Sequence, residues 1–290
     1  MRASGTARAV ASALLVAADD PALADLLDRG SVANAVHALS EGPGRALVRA
    51  LRTRPGRALA RGVERLLLPG FVAHVVLRRV IVWHLVERAA ADGCTQIIVL
   101  GAGLDDLADR ASARLGLAAF AVDRHVLSRA ASAPERSHRV AADLTADEPL
   151  APVLRHPAFD PTRPTLVVAE GLLMYLPRHF AQRLLRSAAV IPACRSLLAT
   201  VMSPDKRGAA RFQGQHRLID RWMRKRGEPF RWGVPNHGIA SLLEPCGWRP
   251  QLVAETRDPS IVGLHAEPRG PTVPPARGEI IVLATRTQQS

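Results

Sequence analysis

Lysine is almost missing from this sequence. Only Lys206 and Lys225 occur among 290 residues, although the formal net charge is +13. The positive charge is therefore arginine. Spread along the chain, it reads as a coding bias and argues against a nucleic-acid footprint. Two stretches carry much of it: residues 1–90 at +6 (13 Arg against 7 acids) and residues 205–231 at +6 (9 basic against 3 acidic). The second is dense enough to be a patch, and a solvated helix face is its plainer reading. Aromatic residues make up 4%, with Tyr175 the single tyrosine. Leu, Val and Ala must then fill the core, which disfavours an aromatic-rich binding module. Cysteine is also scarce. Cys94, Cys194 and Cys246 are far apart and odd in number, with no CxxC. That pattern supports neither a disulfide framework nor a zinc ribbon, and it fits a reducing cytoplasm. No His/Asp/Glu cluster has metal-ligand spacing, so no metal is expected. The apolar run Ala9–Ala18 is stopped by Asp19-Asp20; it is too short to span a membrane and lacks the cleavage region of a signal peptide.

What the chain does have is hydrophobic content, 48%, enough for one large α/β domain with additions. Residues 1–90 read as a helical N-terminal cap, broken by the turn signals Gly42-Pro43-Gly44, Pro55-Gly56 and Pro69-Gly70. From residue 91 the texture changes. Short apolar runs at Gln96–Leu100, Ala118–Val122, Arg139–Ala142, Thr165–Ala169, Ser196–Val201, Gln251–Glu255 and Glu279–Thr285 predict seven strands. Helical segments at 105–115 and 178–190 separate the earlier ones. This alternation predicts a doubly wound α/β sheet of Rossmann-like type over 91–290. The last two strands are joined by a Pro/Gly-rich loop near 266–278 and predict an antiparallel hairpin at the sheet edge. A basic helical insertion at about 205–231 would lie over the carboxyl ends of the strands as a lid.

The segment Val99-Leu100-Gly101-Ala102-Gly103-Leu104-Asp105 follows the first strand. Glycine there permits a tight turn and close approach of a ligand to the backbone. By itself this G-x-G is weak, because Asp106 stands near where the dinucleotide fingerprint has further glycine. The acids strengthen it. Asp123 ends the second strand, 20 residues after Gly103, where a carboxylate can accept from both ribose hydroxyls. Asp143 and Glu170 follow the third and fourth strands. One such acid reads as a helix cap; three at the same sheet edge make a site. Asp105 and Asp106 head the next helix and would repel a pyrophosphate. They suit a ligand bearing sulfonium and ammonium groups, such as S-adenosylmethionine.

Gln96–Asp105 resembles the leucine carboxyl methyltransferase family, which includes bacterial polyketide carboxyl O-methyltransferases. Val168-Ala-Glu-Gly-Leu-Leu-Met-Tyr-Leu-Pro177 is a closer and more distinctive match, and Gly227–Gly233 with Leu242–Trp248 resembles the family's C-terminal part. The resemblance covers roughly residues 70–285. It implies a class I methyltransferase fold, with a seven-stranded sheet, an antiparallel last strand and a helical cap. By that resemblance Gly101, Ala102 and Gly103 line the methionine part of the cofactor. Asp123 holds the ribose, Asp143 sits by the adenine with Leu144 packing nearby, Glu170 faces the amino group, and Arg78 pairs with the carboxylate. The sequence departs from the family at several positions. Its Arg-Thr pair reads Arg78-Arg79, the Asp five residues after the Arg is Trp83, and Gly-Leu-Asp-Thr-Arg reads Gly103-Leu-Asp-Asp-Leu107, while Arg110 is retained. The N-terminal segment lacks the typical start.

Methyl transfer is a displacement that the protein assists by alignment and desolvation. A carboxylate acceptor needs no base; a hydroxyl does. His216 and His237 are candidate bases, against a surface or structural role for each. Tyr175 is a candidate substrate contact, against simple core packing. The expected activity is O-methylation of a small molecule of secondary metabolism, possessing a carboxyl or hydroxyl and drawn in, if acidic, by the 205–231 stretch. The alternatives are a cofactor-binding relative that does not methylate and, on charge alone, a nucleic-acid methyltransferase. The sequence leaves the oligomeric state open.

Overall fold

The computed structural model describes residues 4–18, 20–40, 44–124, 136–258, 261 and 274–287. Arg2, Asp19, Gly42, Pro43 and residues 266–273 of the expected Pro/Gly-rich loop lie outside the described residues.

Five segments, apolar in all but β3, form the parallel part of the sheet: β1 (Gln96–Leu100), β2 (Ala118–Asp123), β3 (Ser137–Ala141), β4 (Thr165–Ala169) and β5 (Cys194–Met202). β6 (Trp248–Glu255) and β7 (Glu279–Arg286) complete it. The spatial order is β3-β2-β1-β4-β5-β7-β6, and β7 runs antiparallel to both neighbours. The seven expected strands are therefore present. The terminal pair is antiparallel as expected, with β6 at the edge and β7 inserted beside β5.

Every residue of β1 and β4 is buried, as strands covered by helices on both faces require. Side chains alternate between the two layers. Ile98 and Leu100 join a cluster with Leu184 and Leu185 of α9 (Arg178–Ala189) and Leu242 of α11 (Ile239–Leu243). Ile97 and Val99 join the opposite one, with Ile81, Leu85 and Val86 of α6 (Phe71–Ala91) and Leu107 and Ala111 of α7 (Leu107–Leu115). The short α8 (Ala151–Leu154) follows β3.

The N-terminal helices are α1 (Gly5–Ala17), α2 (Pro21–Ala24), α3 (Arg29–Ser40), α4 (Gly44–Leu51) and α5 (Arg54–Leu67). Leu14, Leu15 and Val16 of α1, Leu39 of α3 and Val48 and Leu51 of α4 pack on Ala73, Val75 and Val76 of α6. The first half of α6 thus belongs to this helical layer and its second half to the sheet. The expected boundary at residue 90 falls at the end of α6, the helix whose two halves serve the two layers. The 205–231 segment is helical only over α10 (Arg217–Lys225); residues before it form turns and an isolated bridge between Pro204 and Ala210. Among the described residues no single helix is long and apolar enough to cross a membrane.

β1 is flanked by β2 on one side and β4 on the other. This is the point where strand order reverses, and a crevice opens at the carboxyl ends of those strands.

Candidate functional site

A cavity of about 290 Å³ occupies that crevice. Its floor is the turn after β1, Gly101-Ala102-Gly103, and its sides include Asp123 after β2, Glu170 after β4 and Tyr175. Gly101 has φ +65° and Gly103 φ +51°. Both lie in the left-handed region that costs residues with a Cβ. A Cβ on Gly101 would lie 2.8 Å from a methyl of Leu172, so the absence of a side chain keeps the floor low. The Gly103 N–H donates to Asp123 Oδ2 at 2.9 Å, which ties the second acid to the turn.

α1 forms the wall opposite this floor through Ala7, Val10, Ala11 and Leu14. Its first turn is held by Glu228, which lines the cavity too. Gly5 N–H, Thr6 N–H and the Ser4 and Thr6 hydroxyls all donate to the Glu228 carboxylate, at 3.0, 2.8, 2.9 and 2.7 Å. Burial works against the Glu228 charge, but these hydrogen bonds outweigh it and hold the carboxyl below its ordinary value.

Two arginines from α6 enter the site. Arg78 Nε donates to Glu170 Oε1 at 2.8 Å, and its NH1 donates to Glu279 Oε2 at 2.7 Å. Arg79 pairs with Asp105 and Asp106. Burial opposes the charge of both guanidiniums, and their carboxylate partners reverse the effect. Asp106 also accepts from Ser31 Oγ at 2.7 Å and Asn34 Nδ2 at 3.3 Å, which ties α3 to the turn. Its carboxyl is disfavoured as an anion by burial, yet Arg79 and Arg110 keep it below the ordinary value.

The departures around Arg78 have a common explanation here. Relative to the resembling pattern, an acid is lost at Trp83 and a cation at Leu107, while a cation is gained at Arg79 and an acid at Asp106. The two gained charges form an ion pair. The two lost positions are apolar: Leu107 is 2% exposed in the sheet core, and the Trp83 ring lies 4.3 Å from the guanidinium carbon of Arg110. The charge balance is kept by relocation.

Of the residues expected from the sequence, Arg78, Gly101, Ala102, Gly103, Asp123, Glu170 and Tyr175 line the cavity. Asp143 and Leu144 do not. Asp143 is exposed, accepting from Arg124 at 3.0 Å and from the Thr145 N–H and hydroxyl at 2.9 and 2.6 Å. Those bonds from Thr145, with Arg124, push its carboxyl down to about 2. Leu144 is buried in the core on one face of the sheet. His216 and His237 are both exposed and outside the lining. His216 caps α10, its Nδ1 accepting from the Leu218 N–H at 3.2 Å. Sequence reasoning missed Arg79, Glu228, Glu279 and the α1 wall. A charged residue opening the apolar run Glu279–Thr285 was the one visible signal for Glu279.

The lining thus has five acids, Asp105, Asp106, Asp123, Glu170 and Glu228, against two arginines, both committed to carboxylates. The leucine carboxyl methyltransferase family model matches residues 3–189. The chain belongs to that family. The match begins at residue 3, ahead of the expected start near residue 70, so it takes in the helical layer; it ends at residue 189, short of the Gly227–Gly233 and Leu242–Trp248 stretches. Two relatives are provisionally named S-adenosyl-L-methionine-dependent methyltransferases. One, from Mycobacterium sp. (strain JLS), is 32% identical over 68% of this chain and 69% of its own. The other, from Mycolicibacterium paratuberculosis, is 37% identical over 47% of each. The chain spans about half the length of several of the curated relatives it matches. Among solved structures, a protein of Thermobifida fusca YX provisionally named a methyltransferase aligns with a TM-score of 0.53 at 19% identity, over 89% of this chain and 95% of that one. At that identity the likeness concerns the fold, a class I methyltransferase sheet with its antiparallel strand.

Proposed function

We propose that this family member binds S-adenosylmethionine in the cavity and transfers its methyl group to an oxygen of a small molecule. The observation that carries the reading is the acidic lining of a cavity in a chain whose net charge is +13. Local charge of the opposite sign to the whole protein selects a cationic ligand by position. The low glycine floor and the acids at the start of α7 fit the cofactor and disfavour a nucleotide phosphate.

Gly101 and Gly103 would admit the methionine part, Asp123 would accept from the ribose hydroxyls, Glu170 would receive the amino group and Arg78 the carboxylate. Asp143 and Leu144, which are not part of this lining, would frame the adenine by the family resemblance. When bound, the cofactor supplies an activated methyl group. The protein's part is alignment and exclusion of water, for which the apolar α1 wall and Leu172 are placed. Among the described lining residues there is no histidine, and burial holds the Tyr175 phenol protonated, above its ordinary range. An acceptor already ionised, a carboxylate, asks least of such a lining; Tyr175 would contact it. The exposed arginines of the 205–231 stretch suit the approach of an acidic secondary metabolite. The three buried free cysteines are in keeping with a reducing, cytoplasmic setting.

The test is methyl transfer from labelled S-adenosylmethionine into a panel of carboxylic acids and phenols. Label in a small-molecule ester or ether, lost in Asp123→Ala, supports the reading. Label recovered only in nucleic acid, or cofactor binding with no transfer to any acceptor class, contradicts it.

A further inference from the structure

Beneath the cavity, Arg78 and Glu170 continue into three buried polar groups, His74, Thr256 and Glu279, for which the cofactor scheme has no use. His74 and Arg78 sit one turn apart on α6, so they share a face, and both reach Glu279, the first residue of β7. His74 Nε2 lies 2.7 Å from Glu279 Oε2, and Arg78 NH1 donates to the same oxygen at 2.7 Å. His74 Nδ1 is 3.3 Å from Thr256 Oγ1. Arg78 Nε then donates to Glu170. Side-chain exposure rises along the series toward the cavity: 0% for His74, 1% for Glu279, 8% for Arg78 and 12% for Glu170.

One guanidinium thus stands between two carboxylates. The deeper carboxylate, 1% exposed, is also held by His74 and Thr200, and Arg78 is the guanidinium that balances its charge away from solvent. The titration of the two acids divides accordingly. Burial alone would raise the Glu279 carboxyl, but Arg78 and the hydrogen bond to His74 outweigh it and hold it far below the ordinary range. Glu170 moves the other way: burial raises it, the pull of Arg78 does not reverse this, and Asp105 adds to the rise. The second terminal nitrogen of Arg78 lies by Gly171, at the cavity wall.

We propose that Glu279 is a positioning residue: it commits Arg78 from below and so leaves Glu170 as the net anion that receives the ammonium group of the cofactor. This rests on the cofactor reading given above. Were Glu279 neutral, Arg78 would pair with Glu170 alone, and the pair would offer an ammonium group no surplus charge.

The experiment is calorimetric titration of the full chain with S-adenosylmethionine, comparing wild type, Glu279→Gln, Glu170→Gln and the double variant, with thermal unfolding of each recorded. The proposal expects Glu279→Gln to weaken binding about tenfold or more where Glu170 is present, and less than about twofold where it is already Gln, a non-additive cycle. Wild-type affinity in Glu279→Gln, or equal weakening in both backgrounds, overturns the proposal and leaves Glu279 a packing residue. Should Glu279→Gln not fold, Glu279→Asp keeps the charge but withdraws it from Arg78, and its loss must again depend on Glu170. A folded wild-type chain that binds no S-adenosylmethionine overturns the cofactor reading itself, an outcome distinct from tight binding indifferent to Glu279.

Discussion

Glu228 accepts hydrogen bonds from both the backbone N–H and the hydroxyl of Thr6, at 2.8 and 2.7 Å. Residues 222 apart in sequence are joined at the first turn of α1, where helical N–H groups lack partners within the helix. An acid there also meets the positive end of the helix dipole. Glu228→Ala is expected to cost about 1–2 kcal/mol, the scale of a lost cap, in chemical denaturation, and to speed hydrogen exchange at Gly5 and Thr6. The pH dependence has a definite sign. The folded-state carboxyl lies below its unfolded value, so its stabilisation is fully present above the unfolded value and is lost as pH falls through the folded one. On acidification the wild type should therefore lose more stability than Glu228→Ala. Equal acid sensitivity, with unchanged exchange at α1, would exclude this cap.

Arg79→Thr restores the residue of the resembling pattern but leaves Asp106 buried without its ion-pair partner. Removing one member of a buried pair costs about 3–5 kcal/mol. Asp106 keeps Ser31 and Asn34, so the lower end is expected in urea denaturation. Replacing both, Arg79→Thr with Asp106→Thr, should recover most of the loss. Additive losses would contradict the relocated pair.

How much of this was legible in the sequence follows from where each signal is written. β1 and β4 are short apolar runs bounded by glycine or acid, so their burial and the position of the crevice could be read locally. Asp123 and Glu170 could be placed because strand ends are marked by composition. Glu279 could not, because its partners His74 and Arg78 lie some two hundred residues away on α6 and meet it only once β7 is inserted beside β5. Arg79 read as a departure, since its acid partner Asp106 was assigned to helix capping and repulsion of phosphate. The α1 wall was hidden because an Ala/Leu-rich amphipathic helix carries no mark of what it covers. His216 lies outside the lining for a local reason: it precedes α10, and its side chain caps that helix.

Gly101→Ala puts a Cβ into a φ of +65° and within 2.8 Å of Leu172. Strain of about 1–2 kcal/mol in the left-handed region and a raised cavity floor are expected together. The variant should unfold at lower denaturant and bind S-adenosylmethionine at least about tenfold more weakly. Undiminished affinity would show that the ligand does not lie on this turn.

Ligand binding should also report on Glu170. Its carboxyl is raised by burial, and an ammonium-bearing ligand favours the ionised form. Affinity should thus be highest above the free-protein value and fall as pH drops through it, beginning at higher pH than for an ordinary glutamate. Glu170→Gln should flatten that dependence. An affinity profile of the same slope in both proteins would remove Glu170 from the ammonium site.

The most direct test of the central claim is calorimetric titration of the purified chain with S-adenosylmethionine and its demethylated product, beside Asp123→Ala. The account predicts saturable binding to the wild type that Asp123→Ala abolishes while retaining its fold. A folded wild-type chain that takes up neither compound would contradict it.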